Sequence, residues 1–413
     1  MFSLKLGLKN LTRNKRRNAI TILVIAFAFL IYLFLGSVMG GMEEISFRNI
    51  KNFETGDIQV AFPEYWEDRE KLPLENLIDL NQDMEDSIRN RDGILGVSPE
   101  LRFKANLNNG IDETEVMGLG IIPEKYNEVY DTQDYIIDGS SFTTRESKAM
   151  IGKGLAELMD LKIGDYITLL VRTKEETFNI IDLEIGGLIN TPHPVLNNGI
   201  VFVPLDVARQ ALNVKNDVSM LTIKVDTGKE IDSIVDDINQ SFQEKKLNIK
   251  AYSWEESAKT VIAWGAAQDA ETAIVLSVIL MIGMIGIINN VILSALERTR
   301  EIGMMKTLGM REWEIVLVFM VEASGIGIIG GLTGCLLGAV GVGCMVKYGY
   351  DLSYIGGDMS VYGIPVMDKI YGIWDFSSFV FIFVLGVVLA LFSSMIPAYW
   401  AAHKDPVKAI YHR

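Results

Sequence analysis

Cysteine and histidine are scarce in this chain: two Cys and three His among 413 residues. Cys335 and Cys344 lie in one long apolar run. On a helix their spacing puts them roughly 13 Å apart along the axis and on opposite faces, too far for a disulfide. His193, His403 and His412 are dispersed, so neither a metal-ligand spacing nor a Ser-His-Asp arrangement is present. A phosphate-binding loop is missing too. That loop needs G-x-x-x-x-G-K-[ST], because backbone amides wrap the phosphates and a hydroxyl holds magnesium. Here Gly152-Lys153 is followed by Gly154, and Gly228-Lys229 by Glu230. The chain is expected to be non-catalytic, with no metal and no cofactor of its own.

Long hydrophobic runs, by contrast, are abundant. Of all residues 49% are hydrophobic, and they concentrate at Ala19–Gly40, Ala273–Leu296, Ile315–Val346 and Phe376–Ala402. Each approaches or exceeds the roughly 20 residues that cross a bilayer. The net charge of -15 hides clustered basic residues. Lys5, Lys9, Arg13, Lys15, Arg16 and Arg17 precede the first run; Arg298, Arg300, Lys306 and Arg311 separate the second and third; Lys404, Lys408 and Arg413 follow the fourth. The positive-inside rule places all three regions in the cytoplasm. The expected order is a cytoplasmic amphipathic segment (1–18), span one (19–40), an extracytoplasmic domain (41–269), span two (270–296), a cytoplasmic segment (297–314), span three (315–346), an outer loop (347–375), span four (376–402) and a cytoplasmic tail (403–413). Span one lacks an A-x-A site after its apolar run and reads as an anchor, not a cleaved signal. The outer domain carries much of the acidic excess, which excludes nucleic acid as a partner.

Between spans one and two the periodicity alternates. Gly56–Val60 reads as a turn entering a strand; Glu115–Leu119, Tyr166–Val171, Asn179–Ile189, Ile200–Val203 and Leu221–Val225 read as strands; Leu74–Arg89, Lys153–Met159, Leu205–Leu212 and Glu230–Glu244 read as helices. The domain is therefore mixed α/β. From Ser253 the pattern turns helical and stays so into span two, which predicts one helix running from the outer domain into the membrane. The apolar turns of that helix at Val261, Ile262 and Trp264 are candidates for a substrate site, with Trp264 equally readable as an interfacial anchor. Pro192, His193 and Pro194 form a turn-rich excursion that is a candidate partner-binding loop. Glu322 sits inside span three, where a charge costs about 2.5 kcal/mol or more and calls for a partner. Gly327 and Gly331, with the offset series Gly330, Gly334 and Gly338, allow close helix approach, within the chain or across a dimer.

The most informative segment is Glu297-Arg298-Thr299-Arg300-Glu301-Ile302-Gly303-Met304-Met305-Lys306-Thr307-Leu308-Gly309. Charged residues alternate with Ile302, Met305 and Leu308 at helical spacing, an arrangement suited to docking in a partner's groove. The segment resembles the E-R-x-R-E-I-G-x-x-K-x-L-G signature of the FtsX/MacB-type ABC transporter permeases, whose members include the lipoprotein-releasing permeases. Asn10-Leu11, Arg13-Asn14 and Arg16-Arg17 are similar to that family's amino-terminal region, and Ile287-Ile288-Asn289 to the end of its second span. Pro397-Ala398, Ala401-Ala402 and Asp405–Ile410 are similar to its carboxy-terminal ending. Ile151–Ala156 followed by Leu161–Asp165 resembles its outer-domain G-x-x-L-A…G-D element, and Val203-Pro204-Leu205 a second such element. The resemblance implies a four-span α-helical membrane protein of the inner membrane with a MacB-like α/β outer domain. It implies a dimer with a second copy or paralogue, bound to a separate ABC ATPase that carries ATP and Mg. Force would pass to the outer domain by mechanotransmission. Glu297–Leu308 would be the coupling element, with Arg298, Arg300, Glu301, Ile302, Gly303, Met305, Lys306, Leu308 and Gly309 as its site residues. Lipoprotein release, with a lipoprotein substrate, a periplasmic carrier and membrane lipid as partners, is the leading expectation. MacB-like export of antibiotics or peptides and FtsX-like signalling to cell-wall hydrolases are the alternatives.

Overall fold

A computed structural model describes residues 6–7, 9–11, 13–143, 146–350 and 369–403. Leu4, Leu8 and the Asp405–Ile410 ending lie outside the described residues, as does most of the outer loop. The chain forms two compact units, a helical one from Met1–Glu43, Gly265–Asp351 and Lys369–Arg413, and a mixed one built mainly from Glu44–Trp264.

The helical unit takes in most of α1 (Lys15–Ile50) and of α2 (Lys259–Glu297), with a short α3 (Thr299–Thr307), α4 (Glu312–Tyr348) and α5 (Phe376–Ala402). Among the described residues four helices are long and apolar enough to cross a membrane, and a helix suits that setting because its interior backbone groups bond one another. The chain is a multi-pass membrane protein. Its small residues pack α4 into its own neighbours. A methyl carbon placed on Gly334 would stand 2.6 Å from the Cβ of Phe29, and one on Gly338 would stand 2.5 Å from Leu33, both on α1. On the other side Gly327 and Gly331 would meet Ala390 and Phe383 of α5 at 2.8 and 2.9 Å. The glycine spacing thus serves contacts inside the chain, where helix association depends on van der Waals fit.

The mixed unit contains β1 (Ile58–Ala61), β2 (Ile78–Asp79), β3 (Ile94–Asn108), β4 (Glu113–Ile121), β5 (Ile136–Gly139), β6 (Lys148–Gly152), β7 (Tyr166–Arg172), β8 (Phe178–Ile189), β9 (Ile200–Pro204), β10 (Asp217–Val218), β11 (Met220–Val225) and β12 (Lys250–Ser253). The 15-residue β3 organises it. Its first half pairs with β11, beyond which lie β1 and β12. Its second half pairs with both β4 and β7. The order β3-β4-β9-β6-β8-β7 then returns to β3, so six strands close on themselves and leave no free edge in that ring. Leu101, Phe103, Ala105 and Leu107 alternate into the core against Ile167, Leu169 and Val171 of β7 and Ile181, Leu183 and Ile185 of β8. Helices Leu205–Leu212 and Ile231–Glu244 bury the apolar stripes that their sequence spacing predicts.

Two sequence expectations change. Leu74–Arg89 is not one helix: the helix covers Gln82–Arg89, because Ile78 and Asp79 form β2 against β10. The helix leading into the second apolar run begins at Lys259 and continues unbroken to Glu297; Trp254–Ser257 is a separate turn capped by the Ser253 side chain. At the end of α1 a wide π-turn, Lys51–Thr55, terminates at Gly56, whose φ of 61° only glycine adopts without strain.

Candidate functional site

Two motifs 288 residues apart meet in the helical unit. Arg13 Nη1 donates to Glu301 Oε2 at 3.1 Å and Nη2 to Oε1 at 2.6 Å, a forked pair that fixes orientation as well as distance. The hydrogen bonds it donates to Glu301, and then that carboxylate's charge, hold the Arg13 guanidinium above its ordinary pKa. Both side chains remain well exposed, so the pair orients α3 more than it stabilises the fold. One turn further, Arg17 donates to Glu297 at 2.7 Å and to the Ser294 hydroxyl at 3.1 Å, while Asn14 donates to Glu297 at 3.0 Å. Asn290 of α2 donates to Thr21 at 3.0 Å and to Asn18 at 3.3 Å. On α4, Glu322 accepts from Arg298 at 3.2 Å and from Ser294 at 3.3 Å; Arg298 and Glu322 are only 5% and 4% exposed. Glu312, at the start of α4, accepts from Lys306 at 3.1 Å and pairs with His403 at 2.9 Å.

The signature segment therefore has two faces with different tasks. Arg298 is turned inward to Glu322, Glu301 is held by Arg13 and Lys306 by Glu312. Ile302 and Gly303 are buried, and Ile302 and Met305 pack in the apolar core of their own unit. This corrects the expected docking face of Ile302, Met305 and Leu308. Leu308 does not share their surface, because α3 stops at Thr307 and the chain turns at Gly309 with φ 89°. The outward surface includes Arg300, Met304, Thr307, Leu308 and Gly309, followed by Arg311 and Trp313. Leu308 is 85% exposed, Met304 47% and Trp313 58%. Apolar side chains thus stand open beside a helix whose other face is anchored. Sequence reasoning missed Arg13, Arg17, Asn290, Ser294, Glu312, Met304 and Trp313 as site residues. One signal was available: Asn290, Ser294 and Arg298 recur every fourth residue, a polar line along an otherwise apolar helix.

In the mixed unit the Pro192-His193-Pro194 excursion does not protrude. His193 and Pro194 are buried, and His193 Nε2 lies 3.1 Å from Glu54 Oε2. The Asn197 side chain folds the loop inward by accepting from the Thr191 N–H at 2.9 Å and donating to the Thr191 carbonyl at 2.7 Å. Nearby, Glu100 is fully buried between Arg102 at 2.7 Å and the Thr222 hydroxyl at 2.8 Å. Burial is the largest influence on the Arg102 guanidinium and lowers its pKa, but the Glu100 carboxylate together with Tyr130 and Tyr65 holds it above its ordinary value. Arg102 and Tyr130 both donate to the Glu54 carbonyl, at 3.0 and 3.1 Å, which fixes the end of the π-turn. A cavity of about 410 Å³ opens here, lined among others by Phe53, Arg69, Arg102, Tyr126, Leu196 and Val261. Val261 is thus placed on a cavity wall, Ile262 is half-buried and Trp264 is 52% exposed.

Known proteins share this plan. The family model described as a MacB-like periplasmic core domain matches residues 18–241, and that described as an FtsX-like permease C-terminal region matches residues 273–406. An uncharacterised ABC transporter permease of Methanocaldococcus jannaschii is 24% identical over 70% of this chain and 69% of its own length. The lipoprotein-releasing system transmembrane protein LolC of Neisseria meningitidis is 21% identical over 78% of this chain and 79% of its own length. The macrolide export ATP-binding/permease protein MacB of Pasteurella multocida is 31% identical over 32% of this chain, a match that spans 17% of that longer protein. With four apolar helices, a mixed α/β outer domain and both family models matched in register along the sequence, this chain belongs to the FtsX/MacB-type ABC transporter permeases.

Proposed function

We propose that the chain is the membrane subunit of an ATP-driven export machine that works in the MacB manner, with ATP and Mg held by an ABC ATPase on another polypeptide and a second permease copy or paralogue completing the complex. The observation that carries this reading is the two-faced α3, pinned on one side by Arg298, Glu301, Ile302 and Lys306 and open on the other at Arg300, Met304 and Leu308. A helix held in this way transmits a push from a partner without being pulled out of its own bundle. The unbroken α2, which reaches from Lys259 to Glu297, supports transmission of that push toward the outer domain by mechanotransmission. Domain limits follow the charge pattern: 1–18, 297–314 and 403–413 in the cytoplasm, 41–269 and 347–375 outside. Lipoprotein release is a second reading, supported by the likeness to LolC. Within it Val261, Ile262 and Trp264 would face the cargo, and Pro192, His193 and Pro194 would contribute through the loop's inner packing.

The layout is testable by cysteine accessibility in a chain with Cys335 and Cys344 replaced by alanine. Thr299→Cys should be protected from an impermeant maleimide added to intact spheroplasts, while Ile111→Cys, 89% exposed on a hairpin of the outer domain, should react. The reverse pattern would sink the reading.

A further inference from the structure

We propose that Arg298 and Glu322 form a buried latch that positions α3, and that Glu322 exchanges its hold between Arg298 and Arg17 when α3 moves. The inference rests on the coupling role given to α3 above and adds to it the residues that set its angle.

Burying an ion pair seldom stabilises a fold more than apolar packing would, and an acid within a membrane-spanning helix is costly, so the pair calls for a second reason. Its hydrogen bonding supplies one. Among the described residues Arg298 Nη2 and Arg17 Nε are both buried without an acceptor. Two carboxylates serve them: Glu297 accepts from Arg17 Nη1 at 2.7 Å, and Glu322 accepts from Arg298 Nη1 at 3.2 Å and from Ser294 at 3.3 Å, with Asn10 alongside and the Ser294 hydroxyl linking Glu322 to Arg17. A carboxylate offers about four acceptor positions, so donors and acceptors here are present in sufficient number but are mismatched in geometry. Buried donors left over in this way are rare in settled structures. Ser294 joins the competitors, since its hydroxyl accepts from Arg17 at 3.1 Å while donating to Glu322. Rotation about a nearby hinge would let either guanidinium take a fuller share of Glu322. Such a hinge exists: Arg298 is the residue at which α2 ends and α3 begins, with φ −107° and ψ 18°, outside the helical region. Arg298 and Glu322 are thus positioning residues, acting on the ATPase through α3.

The test uses the whole permease with its ATPase in nanodiscs, on a background lacking Cys335 and Cys344, and reads the maleimide reactivity of Thr307→Cys with ADP and with a non-hydrolysable ATP analogue. In the parent a nucleotide-dependent change in reactivity is expected. Glu322→Gln, which keeps shape and removes charge, should still hold the ATPase but shrink that change about tenfold. Ser294→Ala should also shrink it, and the exchange Arg298→Glu with Glu322→Arg should not restore it, because that exchange sets a second cation beside Arg17 and leaves it nothing to take. An undiminished change in both Glu322→Gln and Ser294→Ala would overturn the latch while leaving the permease reading intact. A parent complex that does not retain the ATPase would overturn both.

Discussion

Replacing Met304 and Leu308 together by aspartate is expected to strip the ATPase from the purified permease while leaving the permease folded. Both side chains are exposed, at 47% and 85%, so the chain's own packing loses little, within about 0.5 kcal/mol for such surface changes. Their loss at an interface is different. Truncation of a central apolar anchor typically costs about 2 kcal/mol or more, and two buried carboxylates add desolvation, so affinity should fall by about thirtyfold at least. Glu301→Gln is the contrast. Its ion pair with Arg13 is internal and partly exposed, so ATPase retention should change only slightly, and mainly at low salt. Pull-down across a titration of ATPase measures both. Equal retention by the double aspartate variant and the parent would remove the docking surface from Met304 and Leu308.

The second large effect belongs to the outer domain. Glu100→Ala should lower its unfolding midpoint sharply, because it leaves Arg102 without its carboxylate in a site where Glu100 is fully buried and Arg102 is 16% exposed at the side chain. Breaking a buried pair by removing one partner costs about 3–5 kcal/mol, and the partial exposure of Arg102 favours the lower end. For a domain of this size about 3 kcal/mol corresponds to about 6–12 °C. Glu176→Ala, which removes a pair with Arg172 in which the side chains are 61% and 72% exposed, should shift the midpoint little. Tryptophan fluorescence of the full chain in detergent follows both, and similar midpoints for the two variants would contradict the assignment of Glu100 as a structural anchor.

How much of this was legible in the sequence depends on the range of the interaction. Local periodicity was enough for the four apolar helices and for helices such as Leu205–Leu212, whose limits coincide with the apolar stripe. It failed at β3, where Gly96, Pro99, Glu100 and Arg102 break the look of a strand although the chain runs extended from Ile94 to Asn108. Glu100 and Arg102 sit two apart on the face opposite Leu101 and Phe103, and only the fold reveals that this second face is also covered. It failed again at Leu74–Arg89, where the pairing of Ile78 with Val218 overrides helical spacing. The signature segment was found as a motif, but its two faces were assigned incompletely. Arg13 and Arg17 lie far away in sequence, and no local pattern says that they meet Glu301 and Glu297. The spacing of Ile302 and Met305 correctly marks an apolar face; it does not say whether that face meets a partner or, as here, the chain's own core.

In the proposed machine an ATPase on another polypeptide pushes on the open face of α3. A photo-reactive residue placed at Leu308, in native membranes that contain both proteins, tests it directly. A covalent adduct between permease and ATPase whose yield changes with bound nucleotide is expected, with little adduct from the same residue at buried Ile302. Adducts with lipid alone at Leu308, under conditions where the ATPase is present and active, would contradict it.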